Sequence, residues 1–150
     1  MQYRQVAEGA AGRTFVVILE PGEEVLTTLA GFAAENAIAG ASLTAIGAFQ
    51  GATIGWFDLP AKSDRKIPVQ EQCEALIAIG DGAEGDDGRP SLHVHAVLGL
   101  SDGTMRDGHL LEAHVQPTRE VILIETPMHL RRRRRPELGI ALIDLSSSRI

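Results

Sequence analysis

Cysteine is all but missing from this chain: Cys73 is the only one in 150 residues. A single thiol excludes an intramolecular disulfide and a thiolate zinc cluster within one chain, so any metal must be held by His, Asp or Glu. Long apolar runs are missing too. No stretch approaches the roughly 18 apolar residues that cross a bilayer, and the opening "MQYRQVAEGAAGRTF" lacks the uninterrupted apolar core of a signal peptide. These absences lead us to expect the cytoplasm and no membrane partner. Positive charge is scarce outside one place. Five of the 14 basic residues form the run Arg131 to Arg135, and taking those five charges away from the net −6 leaves −11 on the rest. So acidic a body disfavours a broad phosphate-binding surface. A nucleophile motif, a phosphate loop and a dinucleotide fingerprint are absent as well: "GAAG" at 9–12 precedes a strand-like segment, and "GDGAEG" at 80–85 leads to no helix.

What is present fits one domain over residues 1–150, with a core of about 12–145, because 44% hydrophobic content at this length suffices for a single core. Sixteen glycines and seven prolines without a period suit many short elements joined by tight turns. "RTFVVILE" (13–20) reads as a strand ended by "PG". From Glu23 to Ala39 the apolar residues recur at helical spacing, with Glu23 and Glu24 at the dipole-favoured start and Gly40 suited to the position after the end. "ASLTAIGAFQGATIGWFD" (41–58) reads as two strands around Gln50 and Gly51, "VQEQCEALIAIGD" (69–81) as another, and "GDGAEGDDGRP" (80–90) as a hairpin connection. "REVILIET" (119–126) and "GIALIDL" (139–145) complete the strands, with the arginine run between them. The expected class is α+β: a largely antiparallel sheet with one long amphipathic helix packed on it.

The stretch "SLHVHAVLGLSDGTMRDGHL" (91–110) carries the chemistry. Side chains alternate along a strand, so His93 and His95 share a face while Leu92, Val94, Ala96 and Leu98 share the other. The turn decides whether His109 joins them. A two-residue Asp102-Gly103 loop pairs residue 109 with 96 and puts His109 on the wrong face. A three-residue loop, Ser101-Asp102-Gly103 with a left-handed glycine, pairs it with His95 and sets Leu110 opposite Val94. Gly108 leaves room beside the proposed ion, and Asp107 shares the face of His109. Three neutral imidazoles suit Zn²⁺, with nickel, copper or iron as other divalent choices, and leave a position for water or substrate. The competing reading is that all three simply face water. Glu74 is a candidate to support an imidazole N–H, or an outward, solvated glutamate. His114 and His129 lack comparable partners and read as structural or surface residues.

In order and spacing, the segments "PGEEVLTTLAGFAAENAIAGASLTAIGAF" and "CEALIAIGDGAEGDDGRPSLHVHAVLGLSDGTMRDGHLLEAHVQPTREVILIE" resemble the PPC domain. This plants-and-prokaryotes conserved domain is free-standing in bacteria and archaea and fused to AT-hooks in land plants. The resemblance spans roughly residues 12–145. It implies an antiparallel sheet with a packed helix, assembly as a homotrimer, and zinc binding by His93, His95 and His109. Two departures stand out. The usual Gly-Gly-His-Leu is Asp107-Gly108-His109-Leu110 here, and the plant "GRFEIL" contact segment becomes "QCEAL", which keeps Glu74 but loses the arginine and phenylalanine. No AT-hook core is present; "DDGRP" at 86–90 has acid where the hook needs base.

Three functional readings follow. The first is a homotrimer with a three-histidine zinc site, with Asp107 or Glu74 available as a proton acceptor should it be catalytic; neither reaction nor substrate follows from the residues. The second is a DNA-binding or regulatory protein using Arg131, Arg132, Arg133, Arg134 and Arg135 on phosphates, disfavoured by the acidic body. The third is an interaction module whose trimer is its product.

Overall fold

The computed structural model describes residues 1–149. Nine strands and one helix follow in order: β1 (Gln2–Gly9), β2 (Gly12–Leu19), α1 (Val25–Glu35), β3 (Gly40–Asp58), β4 (Ser63–Val69), β5 (Cys73–Glu84), β6 (Pro90–Gly99), β7 (Met105–Glu125), β8 (Arg132–Arg135) and β9 (Ile140–Ile143). Every ladder is antiparallel. The main sheet has the order β1-β2-β7-β6-β5-β3-β4, and a further β3–β7 pairing closes a ring through β5 and β6. β8 and β9 form a separate two-stranded ribbon. No helix among the described residues is long and apolar enough to cross a membrane.

The helix is shorter than its apolar pattern. The periodicity predicts residues 23–39, whereas α1 covers 11 residues. Glu24 is its N-cap, accepting hydrogen bonds from the Leu26 and Thr27 amides. The other end closes at Asn36, with Ile38 N–H donating to the Ala33 carbonyl and Ala37 N–H to that of Ala34. This paired closure puts Ala37, with φ 52°, in the left-handed position expected of Gly40, which instead opens β3. The apolar pattern ran on because Ile38 is buried from a non-helical segment. Val25, Leu29, Phe32 and Ala33 form the buried stripe that packs on β6 and β7. The rings of Phe15 and Tyr3 meet Phe32 edge-on at 5.3 and 4.9 Å.

Two of the expected turns are not turns. Gln50 and Gly51 lie inside the 19-residue β3, which is kinked by register shifts against β5 and β7. These bulges bend the strand so that its first half pairs β5 and its second half β4. Likewise "GHLLEAHV" and "REVILIET" are one strand, β7, of 21 residues. β1, β4 and β8 are additions to the expected set. β1 is exposed along its length and β4 buries one residue, so neither carries the alternation that marks a half-buried strand.

One sheet face remains uncovered. Thr44 pairs with Ile79 of β5 on one side and Ile122 of β7 on the other, and Ile79 and Ile122 are exposed together with Ile46, Ile77 and Ile124.

Candidate metal centre

The β6–β7 turn is the three-residue form. Leu100 and Thr104 close it through the Leu100 N–H to the Thr104 carbonyl, and Gly103 sits at φ +82°. The register that follows sets His95 directly opposite His109. His93, two residues from His95 on the same face, joins them: ring centroids lie 4.9 Å apart for His93–His95, 5.0 Å for His93–His109 and 4.4 Å for His95–His109. One nitrogen from each ring lies within 4.8 Å of the others, and among the described residues this is the one such cluster of potential ligands. Zinc–nitrogen bonds of about 2.0–2.1 Å need ligand atoms roughly 3.3 Å apart in a tetrahedron. Small side-chain rotations would bridge any remaining gap, and the all-imidazole donor set suits a borderline divalent ion.

Two of the rings, His93 and His95, are biased toward the form that ligates. Burial lowers the pKa of His93, helped by the Arg132 cation and the other two imidazoles, with Asp81 opposing. Burial also lowers that of His95, helped by His109 and opposed by Asp64 and Asp81. Both therefore favour the neutral imidazole, whose lone pair a metal needs.

Asp64 was not visible from sequence as part of this group. His109 Nδ1 lies 2.9 Å from its Oδ1, and donation from Nδ1–H to this carboxylate makes Nε2 the nitrogen available to a metal. β4 pairs with β3 so that Asp64 lies opposite Phe57, and β3 in turn sets Gly55 opposite His109. The carboxylate thus reaches across Gly55, where an added Cβ would lie 2.7 Å from Asp64 Oδ1. A β4 rich in polar residues has no period to announce it, and the contact exists only once β4, β3 and β7 lie side by side.

Gly108 has a different use from the one its position suggested. Its φ is +153°, and a Cβ there would run into the Gly55 carbonyl, so glycine permits the close approach of β3 to β7. Asp107 is exposed opposite Val97, and Glu74 is exposed opposite Gly99, at the far end of β5 from Asp81, the partner of His93. Neither belongs to the three-histidine cluster. His114 pairs with Gly51, and His129 Nε2 lies 2.8 Å from Glu84.

Arg132 to Arg135 of the arginine run form β8, and the run is largely neutralised. Arg131 pairs with Glu84, Arg132 with Asp81, Arg133 with Asp86 at 2.7 Å and Arg135 with Asp144 at 3.8 Å. Among the described residues, Arg134 alone of the five has no carboxylate partner for its side chain.

Comparison with known proteins agrees with this architecture. No curated protein matches the chain. A plant- and prokaryote-conserved protein from Pyrococcus horikoshii is 31% identical over 90% of this chain and 93% of its own, with a TM-score of 0.85. A metal-containing protein from Archaeoglobus fulgidus is 29% identical, covering 94% of this chain and 99% of its own, with a TM-score of 0.82. A Ralstonia eutropha protein named as a "putative DNA-binding protein" is 26% identical over 93% of this chain and 94% of its own, at the same TM-score of 0.82. The family model of the Plants and Prokaryotes Conserved (PCC) domain matches residues 6–127, the span from β1 to just past β7, and on that match the chain belongs to the PCC domain family.

Proposed function

We propose that this protein is a homotrimeric metal-binding member of the family in which His93, His95 and His109 ligate one divalent ion, Zn²⁺ by preference. One observation carries the reading: three imidazoles from two strands converge with a nitrogen from each within 4.8 Å of the others. Histidines that merely face water have no reason to crowd their rings in this way, since the crowding gains no hydrogen bond among the three. Asp64 supports the reading, because a carboxylate behind an imidazole is the common second contact of a metal-bound histidine. Three protein ligands leave a coordination position open, where the ion would lower the pKa of a water to about 7 or polarise a carbonyl. The Archaeoglobus relative, which contains metal, adds weight. The uncovered apolar face of β3, β5 and β7 is the surface we assign to subunit contacts. We assign the cytoplasm, where the lone buried thiol of Cys73 stays reduced.

DNA binding, which the Ralstonia relative's name suggests, has less support. Carboxylates already hold four of the five arginines, and phosphate would have to displace them.

Metal analysis of untagged protein followed by zinc titration tests the proposal. One ion per chain is expected, and alanine at His93, His95 or His109 is expected to weaken binding roughly a hundredfold or more, while His114→Ala and His129→Ala leave it unchanged. Equal behaviour of all five variants would show that the histidines face water.

A further inference from the structure

Beside the three histidines lies a cavity of about 540 Å³ that the proposed metal site does not by itself explain. His93, His109 and Asp64 line one part of it. The remaining wall is mostly apolar, with Leu26 from α1, Phe57 from β3, Leu92 from β6, Leu111 from β7, and Ile140 and Leu142 from β9. All six keep part of their surface uncovered, and Leu142 is 37% exposed. A volume of this size, apolar with a few convergent polar groups, has the make-up of a small-molecule site.

The β8–β9 ribbon supplies part of this wall, and it lies beyond the family-matched residues 6–127. The arginine run explains how it stays there. Arg131 reaches Glu84, Arg132 reaches Asp81 and Arg133 reaches Asp86, so one edge of the ribbon is tied to the end of the β5–β6 hairpin. Backbone contacts extend the tie: the Glu84 N–H donates to the Leu130 carbonyl at 2.9 Å, and Leu130 N–H donates to that of Ala39 at 3.1 Å. The sequence feature that most suggested nucleic acid is therefore a clamp, and what it clamps is a wall of the cavity.

We propose, resting on the zinc reading above, that this cavity binds a small monocarboxylic acid with an apolar tail, its carboxylate on the ion and its tail against Phe57, Leu92, Ile140 and Leu142. Charge selects the head group. A divalent ion on three neutral imidazoles, offset by the Asp64 carboxylate, leaves one positive charge, while Arg132 and Asp81 cancel each other. A monoanion completes that balance; a dianion or a cation leaves charge uncompensated against apolar walls. The lining selects the tail, because it offers aliphatic and aromatic surface and few hydrogen-bonding groups.

Calorimetric titration of the zinc-loaded protein with straight-chain monocarboxylates from acetate to octanoate tests this. Affinity should rise about two- to fourfold with each added methylene until the tail fills the cavity. Leu142→Asn, a neutral change, should weaken octanoate by roughly tenfold and leave acetate and zinc stoichiometry unchanged. Ile140→Ala, a milder change to the same wall, should lower the chain-length dependence in the same direction. Zinc binding with equal affinity for acetate and octanoate, or octanoate binding indifferent to both substitutions, overturns the ligand assignment and leaves the metal site standing. Failure to bind zinc at all overturns both.

Discussion

Asp64 shows how much one side chain can set. Its carboxylate accepts a hydrogen bond from the Nδ1–H of His109 at 2.9 Å, favouring one tautomer and fixing the ring orientation of the histidine that comes from the opposite arm of the hairpin. His93 and His95 need no such help to share a face, because the strand period does it; His109 has to be aimed. Removing the carboxylate with Asp64→Ala should therefore weaken zinc by about 10–100-fold while the histidine ligands remain. A chelator-competition titration measures this, and unchanged affinity would mean that the ring is oriented by packing alone. Gly55→Ala should move affinity the same way, since its methyl would occupy the path the carboxylate takes.

At the scale of the element, α1 depends on Glu24. This one carboxylate accepts from the amides of Leu26 and Thr27, and from that of Ala113 on β7 at 3.3 Å, so it caps the helix and ties its start to the sheet. Burial acts to raise its pKa, but these hydrogen bonds outweigh it and hold the group below the usual carboxylate range. A carboxyl depressed in the folded state stabilises the fold above its unfolded pKa, and that contribution fades as pH falls through the lowered folded value. Glu24→Ala should thus cost about 1 kcal/mol near neutral pH. The difference from the parent protein should shrink as acid protonates the parent's own cap. Urea unfolding at pH 7 and at pH 3 checks both halves, and a deficit that stays constant with pH would exclude the ionised cap as its origin.

For the whole molecule, the exposed isoleucines of β3, β5 and β7 are the dominant unspent feature. Ile79 is 52% exposed and lies opposite His95, so the apolar face adjoins the three-histidine cluster. Contiguous apolar surface of this kind marks an association site in a protein that stays dispersed. Light scattering at micromolar concentration is expected to give three times the 16.0 kDa chain mass, and Ile79→Lys together with Ile122→Lys is expected to return the monomer. A monomeric parent protein would refute the trimer.

Much of the site could be read along the chain because it is built from local rules. Strand alternation places His93 and His95 together, and the turn chemistry of Ser101-Asp102-Gly103 sets the register that brings His109 opposite His95. The antiparallel class followed from short alternating segments and glycine-rich turns in the same way. Other features depended on partners distant in sequence. The end of α1 at Asn36 was set by Ile38 burying itself from outside the helix, and the continuity of β3 by bulges that exchange one neighbouring strand for another. Asp64 could join His109 only after three strands had aligned around Gly55. The arginine run carried a clear charge signal, but charge alone does not name its partner. The fold supplied Asp81, Glu84 and Asp86 from the β5–β6 hairpin, turning an apparent phosphate-binding motif into the clamp on a ribbon. Local geometry is written in neighbouring residues, whereas pairing across the sheet is decided by which surfaces the compact chain can bury together.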